Sequence, residues 1–226
     1  MSEPKSKTFN ISGSTINNLA GDNIYYNEVP QIQSNPISED AVKTILFLAA
    51  NPQGMQPRSL EEEAREISEG LRRSQHRDRF ILKQCWAVRH RDMHRALLDY
   101  QPHIVHFAGQ GSSEAGLFLE DDTGRSKAVS AEAIANLFQL FPKIECVVLN
   151  ACYSAVQAKA IADYIPYVIG MQQAIGNKAA IEFAVAFYDA LATGQSIEFA
   201  YKLGCVAIQM AGISEALTPV LEKNFI

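Results

Sequence analysis

Two stretches of the chain hold residue types that can do chemistry: Leu149-Asn-Ala-Cys152-Tyr-Ser154 and His106-Phe-Ala-Gly-Gln110-Gly111. A cysteine attacks as its thiolate, so it needs a base or a favourable field nearby. Gln110 carries an amide donor and an acceptor but no titrating base. His106 could take a proton, yet it precedes Gln110 by four residues. At ~3.3 Å per strand residue that is roughly 13 Å along the chain, beyond the hydrogen-bond reach a general base requires. His106 is therefore expected in or beside a sheet.

The remaining clusters read more plainly. His90 and His94 lie four apart and could hold a metal on one helical face, but no third ligand accompanies them and a surface pair is expected. Glu120, Asp121 and Asp122 have the composition of a calcium or carboxylate cluster, while Asp121-Asp-Thr-Gly124 is ordinary turn chemistry. The pair Gly109-x-Gly111 lacks the third glycine and the following helix start of a nucleotide fingerprint. No metal or organic cofactor is expected.

Alternating strands and helices must position these residues. Thr44–Ala50, Phe80–Trp86, Ile104–Ala108, Glu145–Asn150 and Tyr167–Gly170 read as strands. Leu117–Glu120 and the Asp121–Gly124 turn suggest a β-hairpin. Ser59 opens an amphipathic helix as its expected cap, with Glu62 at the capping-box position and Leu60, Ala64, Ile67 and Leu71 on one face. Further helices are expected over 91–100, over 130–141 with Ser130 as cap, and over 155–164, 177–192 and 196–211. Apolar strands separated by helices imply a mostly parallel sheet covered on both faces, an α/β fold. Ligands of such sheets lie beyond the carboxyl ends of the strands. That directs attention to the residues just after Asn51, Ala108, Asn150 and Gly170.

Composition narrows the function classes. The net charge of −5 over 226 residues argues against a protein whose main work is binding nucleic-acid backbone. The basic stretches Arg72-Arg73 and Arg89-His90-Arg91 read as a helix end and a solvated face. No apolar run reaches membrane-spanning length and no signal-type segment opens the chain, so no membrane partner is expected and the reading is cytoplasmic. Cys85, Cys146, Cys152 and Cys205 contain no C-x-x-C pair and are expected to be reduced thiols.

Residues 1–41 stand apart as a tail and a Pro30- and Pro36-containing linker, with the main domain expected over 42–226. Within 8–28, Ile11-Ser-Gly13-Ser-Thr-Ile16-Asn-Asn18 aligns with Leu19-Ala-Gly21-Asp-Asn-Ile24-Tyr-Tyr26, a repeat of eight residues. Two such units cannot bury their apolar residues alone. They could stack on copies from other chains to form a homo-oligomer, because short, low-charge strands present unpaired edges. A hairpin packed on the main domain, or a loose tail, fits equally.

The two linked motifs resemble those of the CHAT family of caspase-like peptidases, in the wider clan of caspases, gingipains and separases. The resemblance runs from about Thr44 to Leu221. It includes Leu46-Phe-Leu-Ala-Ala-Asn-Pro52, the Glu61-Glu62-Glu63 helix and Tyr167-Val-Ile-Gly-Met171. It implies a three-layer caspase-like fold and a cysteine–histidine dyad. By that resemblance Cys152 is the nucleophile, Gly111 and Cys152 supply oxyanion N–H groups, and Gln110 occupies the histidine position. The resemblance also places Gln172, Gln173 and Asn177 in the pocket for the residue before the scissile bond, where many relatives have acids that match basic substrates. Uncharged residues there forgo the bidentate reward for Arg or Lys. The 8–28 segment resembles the Gly/Asn β-motifs at the ends of some innate-immune receptors and effectors.

Three functions follow. The chain could be a cysteine endopeptidase effector acting on a protein or peptide, activated by a sensor protein and impaired by Gln110. It could be a pseudoprotease that keeps the peptide groove without turnover. It could also be an assembly protein that carries this domain on residues 8–28, a role compatible with the first.

Overall fold

A computed structural model describes residues 42–224; the 8–28 repeat lies outside the described residues. The chain first lays down β1 (Lys43–Ala49). It then forms α1 (Leu60–Arg73), β2 (Phe80–Cys85), α2 (His90–Tyr100) and β3 (Ile104–Ser112). A hairpin of β4 (Gly116–Glu120) and β5 (Ser126–Val129) leads to α3 (Ala131–Gln139) and β6 (Cys146–Ala151). The order ends with α4 (Ala155–Ile161), β7 (Tyr167–Met171), α5 (Asn177–Ala192), α6 (Ile197–Met210) and β8 (Pro219–Lys223).

The main sheet runs β2-β1-β3-β6-β7-β8. Its first five strands are parallel, and β8 joins β7 antiparallel. Successive strand residues point to opposite faces, and β1 shows what this does to the core. Ile45, Phe47 and Ala49 pack with α1, α5 and α6; Leu46, Leu48 and Ala50 pack with α2, α3 and α4. The three-layer α/β architecture expected from sequence is what the chain adopts. No described helix is long and apolar enough to cross a membrane.

Local chemistry accounts for most boundaries. Ser130 Oγ accepts from Ala133 N at 3.2 Å and caps α3 as expected. Asp121 Oδ1 accepts from Thr123 N at 2.7 Å and Arg125 N at 2.9 Å, the turn chemistry read from Asp-Thr-Gly. The hydroxyl and backbone donors around it hold the Asp121 carboxyl below its ordinary range.

Three expectations need correction. Ser59 precedes α1 but makes no side-chain cap; its hydroxyl instead accepts from Asn177 Nδ2 at 3.3 Å. A partner from a distant helix has displaced the local capping box. β3 runs past Ala108 to Ser112, because its end pairs antiparallel with β4, Gln110 opposite Phe118. β8 was not anticipated: its signal is short and opens on a proline, which edge strands tolerate.

Candidate active site

Strand register brings the two motifs together. Gly109 pairs with Ala151 at the carboxyl ends of β3 and β6. Gln110 and Cys152 are the next residues of these neighbouring strands, on the face that carries α1 and α5. Gly111 is pressed against the Cys152 turn: a Cβ there would come 2.6 Å from the Cys152 carbonyl oxygen. Only a glycine allows that approach. Gly111→Ala is expected to push the two strand ends apart and cost about 1–3 kcal/mol, read as a fall in the urea midpoint. An unchanged midpoint would contradict this packing.

The turn after Cys152 is tightly specified. Tyr153 adopts φ +54°, a left-handed conformation uncommon for a bulky residue. Its N–H donates to Gln173 O at 3.1 Å. Ser154 Oγ donates to Leu149 O at 2.8 Å and accepts from Met171 N at 3.0 Å, tying the turn to β6 and β7. Backbone strain next to a reactive side chain is a recurrent feature of functional sites.

Cys152 is half-buried, and its sulfur faces the loop after β7. Ile175 N donates to Sγ at 3.5 Å, and Sγ–H can reach Ile175 O at 3.7 Å. Arg58 Nη1 approaches the sulfur at 3.8 Å and donates to Ile175 O at 2.8 Å. The β1–α1 loop also holds Gln110, whose Nε2 donates to Gln56 O at 2.9 Å. One loop therefore contacts both Gln110 and Cys152. Burial pushes up the thiols of Cys85, Cys146 and Cys205, Cys146 most of all.

His106 is far from this chemistry in environment. It is fully buried and stacked on Phe47, with Nε2 2.7 Å from Glu63 Oε1 and Nδ1 3.1 Å from Tyr188 Oη. Asn150 Nδ2 donates to the same Glu63 oxygen at 2.6 Å and to Ala180 O at 3.1 Å. Burial keeps the Tyr188 phenol protonated far into the alkaline range. These four side chains staple β3 and β6 to α1 and α5 beneath the site.

Of the residues expected to line the pocket, Gln172 and Gln173 are exposed and Asn177 is half-buried. Gln172 Nε2 donates to Leu217 O at 2.6 Å, Gln173 holds the Tyr153 turn through its carbonyl, and Asn177 reaches Ser59. All three lie on or next to the loop that covers Cys152. His90 lies 3.4 Å from Lys127 Nζ through Nδ1, and burial with nearby cations lowers its pKa. Sequence reasoning missed Arg58 and Ile175. The only available signal for Arg58 was its position after the first strand, where such sheets place ligand-binding loops.

A mostly parallel α/β sheet of this strand order, with helices on both faces, is a caspase-like class of fold. The CHAT domain family model matches residues 12–202, and the chain belongs to that family. It is 27% identical over 180 residues to a Roc-COR-CHAT protease from an unknown prokaryotic organism, a match covering 75% of this chain and 17% of that protein. It is 26% identical over 165 residues to a probable protease of Gillisia limnaea, covering 71% of this chain and 29% of that one. The chain thus spans less than a third of the length of either relative. A secreted C11 cysteine protease from Bacteroides thetaiotaomicron, solved with an irreversible peptide inhibitor, has the same fold: TM-score 0.57 at 12% identity, over 80% of this chain and 66% of that one.

Proposed function

We propose that this chain is a CHAT-family cysteine endopeptidase module whose activity is impaired or absent because Gln110 stands where the dyad histidine would be. The carrying observation is the register: Gln110 and Cys152 follow the Gly109–Ala151 pair on adjacent strands. The Cys152 sulfur would attack a peptide carbonyl carbon, and the carbonyl electron pair would move to oxygen, held by the N–H groups of Gly111 and Cys152. The amine would then leave with a proton, and water would release the acyl group from sulfur. Two protons must be moved, one off the thiol and one onto the amine. An amide at 110 can do neither.

A second reading is supported by the same residue. The Gln110 amide already has a settled partner in Gln56 O, as suits a pseudoprotease that holds a peptide without cutting it and self-assembles through residues 8–28. In either case the proposed setting is a cytoplasmic effector of bacterial immunity or signalling, with a protein or peptide as substrate or partner and a sensor protein as its switch. The relatives named as proteases, in which this region is a minor part of the length, support a protein or peptide as the substrate.

Alkylation by iodoacetamide across pH, read by mass spectrometry, tests the nucleophile. Cys152 is expected to react ahead of Cys85, Cys146 and Cys205, and Cys152→Ala should remove only that fast phase. If Cys152 reacts no faster than the other three thiols, the peptidase reading fails.

A further inference from the structure

Gln110 leaves the thiol without a base, yet the sulfur has a charged neighbour. Arg58 Nη1 donates toward Sγ from 3.8 Å, and Ile175 N donates to the same sulfur at 3.5 Å. Two N–H groups converge on one sulfur, which suits an acceptor. Among the described residues the thiol hydrogen reaches one acceptor, Ile175 O at 3.7 Å, and Arg58 Nη1 already holds that oxygen at 2.8 Å. The arginine has the complementary deficiency. It is 6% exposed and takes part in no ion pair among the described residues. Its Nε and Nη2 are shut off from solvent and have no hydrogen-bond partner there. An arginine does not shed its proton in a protein, and a buried cation without a counter-charge is costly. The group it touches that can become an anion is the Cys152 sulfur.

We propose that Arg58 is the counter-ion of Cys152: through Nη1 the guanidinium holds the sulfur as a thiolate, in place of the missing dyad histidine. This rests on the reading of Cys152 as a nucleophile. The S–H bond breaks, the proton passes to water, and the sulfur keeps the electron pair between the Arg58 and Ile175 donors. A neighbouring arginine is one of the settings that favour a cysteine thiolate. The other groups around the sulfur do not compete for the cation. Gln110, Ser59 and Asn177 are neutral and bond elsewhere or to each other. Glu215 accepts from Gly176 N–H at 2.7 Å, and Glu63 serves His106 and Asn150 beneath the strand ends. Arg58 thus meets the first of the two proton demands of peptide cleavage and leaves the second. The sulfur can attack, but a departing amine still finds no donor. The electrophiles this site handles best are those whose leaving group departs as a stable anion.

Two measurements on the full chain test this. The first keeps Arg58 in place. Thiolate absorption in the ultraviolet is compared between the parent and Cys152→Ala at roughly pH 6.5, about two units below the ordinary thiol value. The parent should show one thiolate that the variant lacks. No difference overturns the proposal, even if Cys152 is alkylated first at alkaline pH. The second is iodoacetamide labelling, in which the sulfur bonds to the methylene carbon and iodide leaves with the electron pair. At the same pH, Arg58→Gln should slow Cys152 by about tenfold or more, and Arg58→Lys, which keeps the charge, should keep part of the rate. At about pH 10, where an ordinary thiol is ionised anyway, the three chains should converge to within about threefold. A role in folding alone would not produce that convergence. Fully buried Cys146 reports on folding, since it should stay unlabelled in every intact chain. An Arg58→Gln chain that protects Cys146 yet labels Cys152 at the parent rate near pH 6.5 overturns the ion pair and leaves the nucleophile standing. If Arg58→Gln exposes Cys146, the absorption of the parent decides alone. If Cys152 of the parent outpaces none of the other thiols, the peptidase reading falls and the ion pair with it.

Discussion

Gln110→His is expected to raise Cys152-dependent peptide cleavage by about 10²–10⁴-fold, the usual contribution of a general acid–base. The position suits an imidazole. Gln110 and Cys152 are successive beyond the same strand pair. The Gln56 carbonyl now accepts from the glutamine amide at 2.9 Å. In the variant that carbonyl can hold one ring nitrogen as N–H, which leaves the other free to exchange a proton with the sulfur and the leaving amine. The rate should climb with pH through the imidazole range, near the ordinary histidine value of about 6.5. Adding Cys152→Ala to the variant should abolish the gain. A histidine variant that remains folded yet shows no Cys152-dependent gain would mean that Gln110 does not occupy the dyad position, and the pseudoprotease reading would lose its explanation as well.

The largest stability loss is expected at Glu63, not at the site itself. One carboxylate oxygen serves two fully buried donors, His106 Nε2 at 2.7 Å and Asn150 Nδ2 at 2.6 Å. Glu63→Ala would strand both in an apolar core, where the Asn150 side-chain oxygen already lacks a partner among the described residues. Removing one member of a buried charged contact costs about 3–5 kcal/mol, with the desolvation of the orphaned donors as the cause. For a chain of this size the thermal midpoint should drop by roughly 10 °C. Glu63→Gln keeps one oxygen acceptor and the shape, so it should lose less. A Glu63→Ala stability within about 0.5 kcal/mol of the parent, on the scale of an ordinary surface change, would show that the network contributes little. The experiment also separates His106 from catalysis, because its effect is on unfolding and not on the reactivity of Cys152.

Much of this architecture was legible before any coordinates. The run Thr44–Ala50 is apolar on both faces, which marks a central parallel strand. Ser130 and Asp121 announce a cap and a turn through bonds that close within a few residues. The strings around Gln110-Gly111 and Cys152 stand at the ends of apolar runs, where α/β sheets place their sites. His106 belongs to the apolar run Ile104–Ala108, which places it in or beside the sheet. Each of these is settled by contacts near in sequence or by the two-residue strand period.

What stayed hidden depends on partners far apart in the chain. Glu63 reads as one of three acids in a first helical turn, yet it is buried and bonded to residues of β3 and β6. Ser59 has a cap's sequence, but its hydroxyl accepts from the Asn177 amide, 118 residues away. Arg58 meets the Ile175 carbonyl across 117 residues. By itself the sequence determined the five parallel strands, the layers and the candidate chemical groups, because periodicity and local hydrogen bonding act over a few residues. Only the tertiary structure decided the β3–β6 register that sets Gln110 beside Cys152, the loop that covers the sulfur, and the orphaned fork of Arg58. Those depend on which buried donors and acceptors find one another once distant segments share a core, and no local pattern encodes that pairing.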